Sequence, residues 1–89
     1  MSDHQAVVIN ADMSEEMEEN AVDYATRALE KYSTERDMAA SIAESFNKRH
    51  NPTWNCIVGR EFASSFSHGK GYFVHFYLGH LSILLFKCA

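Results

Sequence analysis

Hydrophobic and polar positions alternate with two different periods along this chain, and the change falls at Pro52. Residues 6–10, Ala-Val-Val-Ile-Asn, are short and β-branched and predict a strand. Asp12 and Ser14 then offer side-chain oxygens to a helix start, with Glu15, Glu16, Glu18 and Glu19 crowded where the positive end of the helix dipole favours them. Met17, Ala21, Tyr24, Ala28 and Tyr32 recur every three or four residues and give that helix one apolar face. Ser33 and Thr34 interrupt the pattern. Thr34 with Asp37 resembles a capping box opening a second helix, whose Met38, Ile42 and Phe46 form an i, i+4 stripe ending before Asn51-Pro52.

Beyond Pro52 the period shortens to two, predicting strands over 53–58, 62–67, 72–78 and 81–87. Gly59-Arg60-Glu61, His68-Gly69-Lys70-Gly71 and Gly79-His80 read as the turns. Gly79-His80 has the glycine-first form of a two-residue type II′ hairpin, which sets Leu78 opposite Leu81 and Phe76 opposite Ile83. In that hairpin Tyr72, Val74, Phe76, Leu78, Leu81, Ile83 and Leu85 share one face, while Phe73, His75, Tyr77, Ser82, Leu84 and Phe86 share the other. Two amphipathic helices can cover one face of a small sheet. The second face is therefore expected to lie open unless another chain or a ligand covers it, the alternative being one helix on each face. At ~25 cal/mol per Å², leaving about 400 Å² in water forgoes about 10 kcal/mol, comparable to the stability of a small domain. In 62–67, Phe62, Ser64 and Phe66 point one way and Ala63, Ser65 and Ser67 the other, so one side is small and polar and approachable by a guest strand; an ordinary edge strand blunted by Arg60 and Glu61 is the plainer alternative.

Composition narrows the chemistry. With 89 residues and 46% hydrophobic content the chain supports one core, hence one domain over 1–89. A formal net charge of −4 with scattered Lys and Arg argues against a nucleic-acid surface, and no run approaches the roughly 20 apolar residues of a membrane span. The N-terminus carries no signal-peptide organisation, and Cys56 and Cys88 fit no disulfide framework, so the expectation is a cytoplasmic protein with free thiols. Five histidines and two cysteines show no metal-ligand spacing, and Gly69-Lys70-Gly71 is too short to cradle phosphate. Neither a nucleophile elbow nor a dinucleotide fingerprint is present, so neither an enzyme nor a cofactor or metal is expected.

Five segments carry a resemblance: Asn10-Ala-Asp-Met-Ser-Glu-Glu-Met17, Ala28-Leu-Glu-Lys-Tyr32, Asn51-Pro-Thr-Trp-Asn-Cys-Ile-Val-Gly-Arg60, Phe76-Tyr-Leu-Gly79 and Ile83-Leu-Leu-Phe-Lys87. Together they closely resemble the small cytoplasmic dynein light chains of the LC-eight (DYNLL) class, almost end to end. The resemblance implies an α+β fold with two helices packed on an antiparallel β-sheet, and a strand, 62–67, exchanged between the protomers of a homodimer. It also implies a peptide groove formed by Arg60, Glu61, Phe62, Ala63, Ser64, Ser65, Phe66, Ser67 and His68, floored by Phe73, His75 and Tyr77, with Glu35 and Arg36 contributing from the start of the second helix. Trp54, Asn55, Ile57, Phe62, Ser64, Phe66 and Cys88 are the implied dimer-interface residues.

The implied function is a non-enzymatic hub that binds extended segments by strand addition, serves the microtubule-associated dynein complex, and promotes dimerisation of its partners. Those partners would be the dynein intermediate chain and disordered proteins with Thr-Gln-Thr-like segments. A dedicated structural subunit of the motor is the alternative. The sequence departs from the family pattern at Ala63, where glycine is common, at Ser65 and His75, where tyrosines are common, and at Cys88 in place of a phosphorylatable serine. Asn55 stands where many relatives carry a histidine at the dimer two-fold.

Overall fold

The structure, a computed structural model, describes residues 5–60 and 72–87. In chain order it contains β1 (Ala6–Asp12), α1 (Glu15–Lys31), α2 (Glu35–Arg49), β2 (Trp54–Arg60), β3 (Phe73–Leu78) and β4 (Leu81–Lys87). The helices begin where side-chain oxygens are available. Ser14 Oγ accepts from the Met17 N–H at 3.2 Å, and Thr34 Oγ1 accepts from the Asp37 N–H at 3.2 Å, each meeting a donor that lacks an intrahelical partner. Lys31 closes α1, and Lys48 and Arg49 close α2, complementing the dipole at each C-terminus.

The four strands form one antiparallel sheet in the order β1-β3-β4-β2. β3 and β4 make the predicted hairpin, with Leu78 paired to Leu81 and Phe76 to Ile83, and Gly79 takes φ 63° in the turn, a value glycine adopts without steric cost. The expected turn at Gly59-Arg60-Glu61 is corrected in its described part. Gly59 pairs with Ser82 and Arg60 with Leu81, so β2 runs through both residues. Cross-strand pairing explains this, because β4 extends to Leu81 and offers ladder partners to the last residue of β2. β1 is also longer than expected and carries a bulge between Val8 and Asn10, which leaves Ile9 as the extra residue.

Both helices lie on one face. The main core gathers Ala21, Ala25 and Ala28 of α1, Met38, Ile42 and Phe46 of α2, and Trp54, Val74, Phe76, Leu78, Ile83 and Leu85 of the sheet. This excludes the alternative with one helix on each face. Alanine at the three buried α1 positions lets the helix approach closely, while Phe46 fills the space near the start of β2 with its ring 4.8 Å from that of Trp54. Two polar contacts fix the approach to β2: the Trp54 backbone N–H donates to Asn47 Oδ1 at 2.7 Å, and the Trp54 indole N–H donates to the His50 carbonyl at 3.1 Å.

The second face differs from expectation. Phe73, His75, Leu84 and Ser82 are only 9%, 4%, 3% and 0% exposed within a single chain, so the centre of this face is not open. β3 and β4 are the two inner strands among the described residues, whereas Ile57, on β2 at the margin of that set, remains 48% exposed.

Candidate interaction site

The pairing register places the predicted residues in rows on the second face. Asn55 of β2 pairs with Phe86, which pairs with Phe73; Ile57 pairs with Leu84, which pairs with His75; Gly59 pairs with Ser82, which pairs with Tyr77. Phe73, His75 and Tyr77 therefore share one face with Asn55 and Ile57, as a common floor requires. The His75 ring meets Tyr77 edge-on, 5.7 Å between centroids at 88°. Burial holds the His75 imidazole below its ordinary pKa, because removing the ring from water penalises the charged form.

Trp54 does not join this group. Its side chain belongs to the opposite face, in the helix-covered core, where it packs against Phe46 at 71°. Cys56 is on that face too, paired with Leu85, and burial pushes its thiol from 9.0 to about 12, so it is a weak nucleophile at neutral pH. It is a free cysteine, as expected. Cys88 and the strand 62–67, with Glu61 and His68 beside it, fall outside the described residues.

Glu35 and Arg36 open α2, and Arg60 closes β2. The chain reverses between α2 and β2 over residues 50–53, and Phe46 meets Trp54 at the joined end. From that end the 15 residues of α2 extend about 22 Å and the seven of β2 about 23 Å. All three side chains are exposed. The Asp37 N–H is taken by Thr34 and the Met38 N–H by the Thr34 carbonyl. Among the described residues, the N–H groups of Glu35 and Arg36 have no acceptor, leaving two oriented donors at the start of α2.

Sequence reasoning missed the residues that orient this frame. Asn47 sits on the polar side of the α2 pattern, yet its amide oxygen caps the first N–H of β2. Its position seven residues before Trp54, across a tight reversal, was the available signal. Lys87 spreads its ammonium over both Trp54 and Tyr72, 5.9 and 5.8 Å from the ring centres. Among the described residues no group of three His, Cys, Asp or Glu could hold a metal, and no helix is long and apolar enough to cross a membrane.

A family model described as dynein light chain type 1 matches residues 5–88. The chain belongs to the dynein light chain family. Two solved structures show the same fold at low identity. The dynein light chain-like domain of the Fasciola hepatica calcium binding protein FhCaBP2 superposes with a TM-score of 0.83 at 17% identity, covering 99% of this chain and 95% of that one. The corresponding domain of CsTAL3 gives 0.79 at 15% identity, covering 92% and 90%. At such identity these neighbours speak for the arrangement of two helices on an antiparallel sheet and not for shared partners. Within the dynein light chain fold, the rows built on Asn55, Ile57 and Gly59 run along a sheet that ends, among the described residues, at β2.

Proposed function

We propose that this dynein light chain is a non-enzymatic homodimeric hub that binds short extended segments by strand addition and thereby promotes dimerisation of its partners. The observation that carries the reading is the edge at β2, where the ladder continues to Arg60 and Ile57 stays 48% exposed beside Asn55. An outermost strand with a half-exposed branched side chain on a largely buried face is suited to receive another strand. In this reading the segment 62–67 crosses to a second copy, and a guest segment pairs with it along 60–68. Phe73, His75 and Tyr77 floor the groove, and the Glu35 and Arg36 N–H groups receive a polar side chain of the guest. The partners proposed are the dynein intermediate chain and disordered proteins carrying Thr-Gln-Thr-like segments, and the proposed location is the microtubule-associated dynein complex of the cytoplasm.

The test is titration of the labelled protein with a Thr-Gln-Thr-containing peptide, followed by amide NMR. The expected result is perturbation centred on residues 60–68, with Phe73, His75, Tyr77, Glu35 and Arg36 responding. Shifts confined to the solvent face of α1, or no saturable shift, would remove the strand-addition reading. Pull-down from a motor-depleted lysate separates the hub from a dedicated motor subunit, since only the hub retains many unrelated partners.

A further inference from the structure

The opposite end of the sheet carries a second feature that the reading above does not use. Among the described residues β1 is an outermost strand, paired on one side only with β3. Such edges are normally blunted by lysine, proline or a covering element. Ala6–Asp12 contains no Lys, Arg or Pro, and its single charge, Asp12, comes at the last position. Val7, Val8 and Ile9 are 51%, 43% and 48% exposed, a contiguous β-branched run open to water on the strand margin.

Beside this edge lies a groove of about 480 Å³ between β1 and α1, lined by Val8, Val22, Thr26 and the carboxylates of Glu15, Glu18, Glu19 and Asp23. The acidic first turn suits the helix dipole, but Glu19 and Asp23 continue the negative wall further along the helix. Asp23 is matched by Arg27 at 3.1 Å, whereas Glu15, Glu18 and Glu19 form no ion pair among the described residues. An apolar floor, an unshielded strand edge and one acidic wall thus share one margin of the molecule.

We propose that the outer edge of β1 is a second docking site, taking a short extended segment of a partner protein in which an apolar and a basic side chain stand two positions apart. The guest backbone pairs with β1, one apolar side chain rests on Val8 and Val22, and a lysine or arginine faces Glu15, Glu18 and Glu19. The spacing of two is required because successive side chains of an added strand point to opposite faces, and Val8, Val22 and the α1 carboxylates all line the groove on the α1 side of the sheet. The bulge at Ile9 interrupts straight pairing and restricts the guest to about four to six residues. A second copy of this chain is a poor occupant, because edge-to-edge pairing would bring two acidic walls together in a protein of formal net charge −4. Three inter-strand steps separate β1 from β2, about 14 Å, so this site is distinct from the edge at β2 and both can be filled together.

The probe is an acetylated, amidated Thr-Val-Thr-Lys-Thr-Lys peptide, which sets Val and both Lys on one face, with Thr-Val-Thr-Glu-Thr-Glu as control, titrated into the full chain and followed by amide NMR. Saturable shifts centred on residues 6–12 and 15–26 are expected for the basic peptide alone. Glu18→Gln with Glu19→Gln, which keeps side-chain size and helix propensity, should weaken binding about tenfold, as should raising the salt to molar strength. The proposal is overturned if neither peptide binds, if both bind alike, if the shifts map to residues 55–60 and 73–86, or if the β1 signals change on dilution without peptide, which would mark a second copy as the occupant. None of these outcomes bears on the Thr-Gln-Thr titration, whose response lies at the other edge.

Discussion

Phe46 meets three rings at once: Tyr24 at 5.8 Å and 83°, Trp54 at 4.8 Å and 71°, and His50 at 4.7 Å and 42°. It thereby ties α1, α2 and the start of β2 into one cluster. Phe46→Ala is expected to cost about 3–5 kcal/mol, from lost transfer energy plus an unfilled cavity, with a cooperative shift of the urea midpoint. A loss under about 1 kcal/mol would show that the cluster closes without it. His75 gives the residue scale its pH dependence. Its folded pKa lies below the ordinary 6.5 because of burial, so the unfolded chain binds the proton more readily. The stability that follows from keeping His75 neutral is fully present above about pH 6.5 and is lost as pH falls from there toward the folded pKa. Urea midpoints measured between pH 8 and pH 5 should decline in the unmodified protein and flatten in His75→Gln; equal slopes would show that another group governs the acid response.

At the scale of the element, the start of α2 joins stability to the proposed site. Thr34→Ala removes the acceptor for the Asp37 N–H and is expected to cost about 1 kcal/mol, while Thr34→Ser should restore most of it. Peptide affinity should fall with Thr34→Ala as well, because fraying displaces the Glu35 and Arg36 N–H groups; unchanged affinity would place the guest away from that helix end. This boundary was legible in the sequence, since a cap is a local arrangement whose parts lie three residues apart. The Gly79-His80 hairpin was legible for the same reason. The end of β2 was not. Gly59 and Arg60 have the local character of a turn, and their strand conformation depends on Ser82 and Leu81, more than twenty positions away. Ile9 was hidden likewise: nothing in Val-Val-Ile-Asn signals a bulge that only the partner strand β3 defines.

The whole molecule sets what the proposed dimer can do. If the edge at β2 accepts a strand from a second copy, sedimentation at micromolar concentration should give a dimer; a species of only 10.1 kDa would remove that assembly. Asn55 lies half-buried on the second face, in the row of Phe86 and Phe73, and an amide there cannot be protonated in mild acid. Asn55→His is therefore expected to split the dimer below about pH 6.5, the imidazole charging where it must be desolvated, while the unmodified dimer persists to roughly pH 5. The comparison needs His68→Gln and His75→Gln in both backgrounds, since protonation of His75, whose pKa burial holds below its ordinary value, also charges this face. By itself the sequence determined the two helices, their caps, the hairpin and its two-faced pattern, and through its motifs the dynein light chain family, because each is written in spacings of a few residues. Only the tertiary structure decided that both helices cover one face, that Trp54 turns into the core away from Asn55 and Ile57, and that β2 runs on through Gly59 and Arg60. These depend on which distant strands pair and on which face buries the larger apolar area, and no local window of the chain contains that choice.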